Sequence, residues 1–313
     1  MNKTKLYDFH THSTFSDGSD TPEELVLNAK KAGVEALALT DHHNGNGIPR
    51  FNAACEKYDM FGIPFGMEIA IELPDNILLK GENKSPDMVV LGKRVNTKPM
   101  NEYQEFYMNY IRNKSLPEIV KGLETIFTMP DFDIKEECRS FNVPPKILHN
   151  FIYHKDNMQR LINFVQNEEP DVTSEEIKSK PVGYINKFLY AVDRPGHSNR
   201  IANFTLSDAL SLVSDMNCKL FIAHPGGGWD CPSPKVLDYY ANNGVHGIES
   251  RNYWNSPEQN VYFDKLAKKH DLIKSGGSDY HGSQGLAKLG MEDKPQNIIY
   301  KEIFKRLWNS LPD

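Results

Sequence analysis

Cysteine is scarce and unpaired in pattern: Cys55, Cys138, Cys218 and Cys231 are scattered through 313 residues with no C-x-x-C spacing. Neither a disulfide framework nor a thiolate zinc knuckle is expected, and the four read as buried thiols. Long apolar runs are missing as well. No stretch is long enough to span a bilayer, and Met1-Asn2-Lys3-Thr4-Lys5 leads straight into a strand without an apolar segment of its own, so a cytoplasmic protein with no membrane partner is expected. A basic excess is also lacking. With 36 Lys and Arg against 42 Asp and Glu the formal charge is −6, which disfavours extended binding along nucleic-acid backbones. An anionic substrate then needs local cations, which bound metal ions supply without altering that balance. There is no low-complexity tract and no short internal repeat; 39% hydrophobic and 25% charged residues are what a globular core requires.

What the chain does have is histidine and carboxylate at the ends of apolar runs. In Tyr7-Asp8-Phe9-His10-Thr11-His12, a strand places alternate side chains on one face, so His10 and His12 project together. Thr21-Pro22-Glu23-Glu24 is a helix start with a capping threonine, proline in the first turn and a glutamate three residues on, and Gly33 stops that helix. Glu35 to Thr40 is a buried strand ending in Asp41-His42-His43. Arg50 to Phe61 reads as a helix and Ile63 to Glu68 as the third strand. Met88-Val89-Val90-Leu91-Gly92 is the fourth, apolar and without a ligand. Later strands are Lys219 to His224, followed by Pro225-Gly226-Gly227-Gly228, then Val245 to Glu249, and Leu272 to Gly276, which runs into Gly277-Ser278-Asp279-Tyr280-His281. Strands alternating with helices predict a parallel α/β barrel slightly short of eight repeats.

Between these halves the pattern turns helical, broken by Pro130, Pro144-Pro145, Pro170 and Pro181. The reading is a barrel from residues 1–97 and 204–313, with a helical insertion, 98–203, over the active face. His149, His154, His197, Arg194 and Arg200 fall in the insertion as candidate substrate contacts.

The collected donors are His10, His12, Asp17, His42, Glu68, His224, Asp279 and His281. Imidazole and carboxylate without thiolate suit zinc, manganese or iron. Eight donors exceed what one ion needs, so two or three divalent ions are expected, clamping phosphate oxygens and lowering the pKa of bound water to about 7. Glu68, Asp279 and His281 are the candidate catalytic residues. Asp41 is expected to orient a ligand histidine, with a strand-end cap as the competing account. His43 is either a solvent-facing loop residue or a substrate contact. Arg251, just past the sixth strand, is the candidate phosphate-binding guanidinium, with a surface ion pair as the competing account.

The stretches HTHSTFSDGS, LTDHH, GMEI, AHPGG and GGSDYHG, in that order, resemble the successive motifs of the polymerase and histidinol phosphatase (PHP) family. The resemblance covers both barrel segments and leaves only the insertion uncovered. It implies a distorted seven-stranded α/β barrel and hydrolysis of a phosphate ester at a di- or trinuclear site. It also implies that His10, His12, Glu68 and Asp279 hold one ion, that Asp17, His42 and His281 hold another, and that Glu68 bridges to a further ion with His224. One departure touches that last ion: relatives place a histidine ahead of Leu-Gly in the fourth strand, where this chain has Val89-Val90. Small phosphorylated molecules or nucleotides are the expected substrates. Histidinol phosphate, the 5′ end of a short oligonucleotide, and the C–N bonds of related metal barrels are the alternatives. Nucleotide-acting relatives commonly carry Arg-Pro-His in the insertion, where Val143-Pro144-Pro145-Lys146 stands here.

Overall fold

Helix starts follow local capping chemistry. Helix α1 (Pro22–Ala32) begins with the Thr21 side chain accepting from the Glu24 amide while Glu24 bonds back to Thr21, and it ends at Gly33, whose φ of 86° is left-handed. The computed structural model describes residues 5–79, 85–110, 113, 156–179, 184, 204–227, 231–282 and 285–313. Among these lie α2 (Ile48–Lys57), α3 (Thr97–Tyr110), α4 (Asn157–Glu168) and α5 (Ser174–Ser179). Then come α6 (Leu206–Asp215), α7 (Pro234–Asn242), α8 (Pro257–Lys269) and α9 (Lys301–Ser310). Thr205 and Ser256 cap α6 and α8 in the same reciprocal way as Thr21.

The strands are β1 (Leu6–Asp8), β2 (Val34–Leu37), β3 (Phe61–Gly62), β4 (Phe65–Ala70), β5 (Asp87–Gly92), β6 (Lys219–Ile222), β7 (Gly247–Asn252) and β8 (Ile273–Gly277). They form a parallel sheet β1-β2-β3 and a second sheet β4-β5-β6-β7-β8. In the second sheet β5 runs antiparallel to both neighbours. The all-parallel arrangement expected from the sequence is therefore corrected at β5, and the fold is mixed α/β. The described residues of the β4–β5 connection, 71–79 and 85–86, contain no helix, whereas parallel neighbours are usually joined by a helical crossover. The strand expected over Ile63–Glu68 is β4, which starts at Phe65, and a short additional strand, β3, precedes it in the other sheet.

Backbone hydrogen bonds join the sheets at both edges. Phe9 N donates to Gly276 O and Asp279 N to His10 O on one side; His43 N donates to Glu68 O and Glu68 N to Asp41 O on the other. Tyr7, Phe9, Val89, Leu91 and Phe221 build a common core with Ile303 and Leu307 of α9. Burial of several such side chains, each worth about 1.5–3 kcal/mol, holds the strands in register.

The chain divides into two compact units, Met1–Gln104 with Ile201–Asp313, and Glu105–Arg200. In the second, Leu161, Ile162 and Val165 of α4 are buried with Ile177 of α5, and the Tyr184 hydroxyl donates to Glu176. Cys55 and Cys218 are buried, with thiols pushed up to about 12 by desolvation, as expected; Cys231 is exposed, and Cys138 lies outside the described residues. No helix among the described residues is long and apolar enough to cross a membrane.

Asp264 of α8 fastens that helix to the sheet, receiving Arg251 of β7 at 2.6 Å and Lys274 of β8 at 2.8 Å. Burial raises its pKa, but the two cations outweigh burial and hold it below the ordinary value. This contribution is complete above the unfolded carboxylate pKa of about 3.9 and disappears as pH falls through the lower folded value. Asp264→Asn should cost about 1 kcal/mol at pH 7, with the gap to wild type closing in acid. Urea denaturation at pH 7 and at pH 3 or below checks this; equal stability at pH 7 contradicts it.

Candidate metal centre

Each donor is delivered by a backbone position that the surrounding sequence fixes. His10 and His12 extend from β1, where the buried Asp8 carboxylate accepts from the Ser278 amide and hydroxyl and the Gly290 amide, tying β1 to the segment carrying Asp279. Gly277 is required here: a Cβ on it would stand 2.3 Å from that of His10. Asp279 adopts a φ of 58°, a left-handed conformation held by the hydrogen bond its backbone amide donates to the His10 carbonyl. His42 follows β2, Glu68 lies within β4, and His224 follows β6, its amide donating to Glu249 at 2.7 Å.

All eight predicted donors converge. His10 Nε2 and His12 Nε2 are 3.1 Å apart, and Glu68 Oε2 stands 3.2 and 3.3 Å from them. Asp279 Oδ1 is 3.2 Å from His12 Nε2 and 3.6 Å from His10 Nε2. Donors held about 2.0–2.1 Å from a tetrahedral ion stand about 3.3–3.4 Å apart, so each carboxylate oxygen keeps the spacing of a coordination shell to the two imidazole nitrogens. A second group is His12, Asp17, His42 and His281, with Asp17 3.3 Å from His281 Nε2 and 3.6 Å from His42 Nε2. The His12 ring packs against both His42 and His281, at 4.7 and 4.2 Å between centroids. A third group joins His10, Glu68 and His224, whose Nε2 is 3.1 Å from Glu68 Oε1.

The residues fit divalent cations on two grounds. Glu68 Oε2 is buried without a hydrogen bond of acceptable geometry although three imidazole nitrogens surround it, and His12 Nδ1 is likewise buried and unbonded. Protonation also shows what the pocket demands. Burial works against charge on both carboxylates, yet Glu68 is pulled well below its ordinary value by His10 and His42, and Asp17 by His281 and His42. His281, despite burial, is raised to about 10 by Asp17 and Asp279; His12 is lowered to about 4 by burial and its histidine neighbours, which keeps it neutral. The carboxylates are ionised and call for positive charge, a role metal ions fill.

Several supporting residues depart from expectation. Asp41 orients no histidine: its carboxylate accepts from the Ser13 amide and the Ser13 and Ser16 hydroxyls, fixing the turn that carries Asp17. His43 is not solvent-facing, because it is buried with Nδ1 2.7 Å from the Tyr103 hydroxyl of α3. Arg251 does not join the cluster; a β-bulge between Glu249 and Arg251 turns it toward α8, where Asp264 and the Ser250 carbonyl engage it. His149, His154, Arg194, His197 and Arg200 lie outside the described residues.

Glu249, Trp254 and Asp87 were passed over. Glu249, fully buried, lies 2.9 Å from His10 Nδ1, which donates to it in the tautomer that leaves Nε2 free to bind. Trp254 Nε1 donates to Asp279 Oδ2 at 3.0 Å, so Oδ1 alone faces His10 and His12. A carboxylate closing an apolar run, the signal that singled out Glu68, was equally present at Glu249. Asp87 groups with His42 and Glu68.

Comparison with known proteins agrees with this geometry. Residues 8–201 match the PHP domain. The chain belongs to the PHP family. The 5'-3' exoribonuclease Rnm of Salmonella typhimurium is 39% identical over 285 residues, covering 90% of this chain and 86% of that protein. Phosphoribosyl 1,2-cyclic phosphate 1,2-diphosphodiesterase of Eggerthella lenta is 25% identical over 290 residues, 90% of this chain and 95% of that protein. Error-prone DNA polymerases such as that of Mycobacterium bovis align over 66 residues at 44% identity, a stretch spanning 6% of the polymerase. Among solved structures, a Bifidobacterium adolescentis protein assigned as a metal-dependent phosphoesterase superposes with a TM-score of 0.71 at 20% identity, over 99% of this chain and 97% of its own. That likeness shows the PHP fold.

Glu249→Gln should weaken metal binding about 10- to 100-fold, because an amide nitrogen turned toward His10 Nδ1 favours the wrong tautomer. Metal-buffered titration of folded protein measures this. An unchanged affinity contradicts the role given to Glu249.

Proposed function

We propose that this chain hydrolyses a phosphate ester at a centre of two or three divalent ions, zinc, manganese or iron. The observation that carries the reading is the shared use of Glu68, whose two oxygens face His10, His12 and His42 on one side and His224 on the other. Adjacent donor groups with a carboxylate between them suit neighbouring cations. When bound, such ions supply a low pKa to water and neutralise charge on phosphoryl oxygens.

The chain's own residues organise the rest. His10 and His12 are fully buried and Glu68 nearly so, which keeps solvent from the inner side, whereas 29% of the His281 side chain is exposed. His42, Asp17 and His281 thus mark the side on which substrate enters. Asp17 steadies the His281 ring there, and Trp254 holds Asp279 from behind. Arg194 and Arg200 stay in this proposal as phosphate contacts; Arg251, committed to Asp264, does not.

For the substrate, we favour a nucleotide or the 5′ end of a short oligonucleotide. The exoribonuclease relative supports this, because its 39% identity runs through nearly the whole chain. The net charge of −6 fits an enzyme that takes chain ends and makes no long track along a nucleic acid. We further read the stitched sheets as the family's distorted seven-stranded barrel, with β3 and β4 as two halves of one stave. A cytoplasmic location belongs to the same proposal.

A phosphate-release panel tests the activity: mononucleotides, bisphosphonucleotides, 5′-phosphorylated di- to pentaribonucleotides and histidinol phosphate, each with added Mn²⁺ or Zn²⁺. Release is expected from nucleotides or oligonucleotides, falling more than about 100-fold in His12→Ala, since even groups behind the ligands are worth 10- to 100-fold. Turnover of an amide panel with no phosphate release would overturn the proposal.

A further inference from the structure

Strand β5 meets the metal centre from an unexpected end. Because it is antiparallel to β4, its first residue, and not its last, lies beside the rim where β4 finishes. Glu68 stands opposite Val89 and Ala70 opposite Asp87, so Glu68, Val89 and Asp87 share one face of the sheet. Val89 is fully buried in the apolar core with Phe221 and Ala223 and offers no donor. Asp87, two residues nearer the rim, does. Its carboxylate groups with donor atoms of His42 and Glu68 that all lie within 4.8 Å of one another, and its Oδ2 is 4.0 Å from His224 Nε2. Glu68, 1% exposed, brings to this group an oxygen with no hydrogen bond of its own.

We propose that Asp87 is a ligand of a third cation position, shared with Glu68 and flanked by His42 and His224. The inference rests on reading the cluster as a metal centre. With two carboxylates among its donors, this position is richer in oxygen than the one formed by His12, Asp17, His42 and His281. Carboxylate and water ligands suit Mn²⁺, whereas imidazole-rich sites suit Zn²⁺. The third position therefore takes a cation that prefers oxygen, and the centre is chemically uneven, with an oxygen-rich edge at β5.

The test counts bound Mn²⁺. Chelator-stripped full-length protein is titrated with Mn²⁺, with free ion followed by electron paramagnetic resonance, for wild type, Asp87→Asn and Asp87→Ser. Circular dichroism checks that each is folded. Both variants should bind one Mn²⁺ fewer, or bind the last equivalent at least tenfold more weakly, while the remaining equivalents keep their affinities. Equal stoichiometry and affinity in wild type and variants overturns the proposal. Crystals of the wild type grown with Mn²⁺ give a reading that needs no variant: an anomalous peak is expected about 2.0–2.6 Å from an Asp87 carboxylate oxygen. Peaks elsewhere in the cluster with none beside Asp87 also overturn it. An unreactive phosphate-ester panel alongside an intact third Mn²⁺ equivalent removes the proposed activity and leaves this position standing.

Discussion

The constraint on which the structure depends is electrostatic: Glu68, Asp279 and Asp17 are packed among imidazoles where solvent can stabilise little charge. A buried ionised carboxylate is costly unless opposite charge accompanies it. Here His10, His12, His42, His224 and His281 surround the carboxylates at 3.1–3.7 Å, and Glu68 alone meets four of the five imidazoles. Imidazoles meet the demand by taking up protons, or they release those protons and share cations instead. That second state joins the cluster to chemistry at phosphorus.

Holding such a cluster takes other buried carboxylates that carry no ligand role. Asp8 ties β1 to the Ser278 turn and Gly290; Asp41 ties the Ser13–Ser16 turn to the end of β2; Glu249 ties β7 to His10 and to the amide of His224. Each accepts several hydrogen bonds, which offset much of its desolvation. The three fasten different edges of the same rim. Loss of any one should therefore be felt at the metal ligands through geometry, not through charge alone.

Much of this was legible in the sequence, for identifiable reasons. The helix start at Thr21 was readable because capping is local chemistry, settled within four residues. The eight donors were readable because imidazole and carboxylate recur at the ends of apolar runs. Strand direction was not: Met88–Leu91 is apolar whichever way it runs, so Asp87, at the opposite end from the expected one, went unnoticed. Arg251 misled for a related reason. Strict alternation counts it on the inner face with Glu249, but the bulge between them breaks the count and sends it to Asp264. Asp41 and His43 gained their partners, the Ser13–Ser16 turn and Tyr103, through contacts 25 to 60 residues away in sequence, which no local pattern encodes.

The central claim is that strand ends far apart in sequence converge to share cations. Elemental analysis of the folded protein purified without chelator tests it most directly. More than one equivalent of transition metal per chain is predicted, dropping to one or fewer in Glu68→Ala, because that carboxylate belongs to two of the four donor groups and stands 3.2 and 3.3 Å from His10 and His12 of the others. A properly folded wild-type chain that carries no transition metal, and takes none up from a metal-buffered solution, would contradict it.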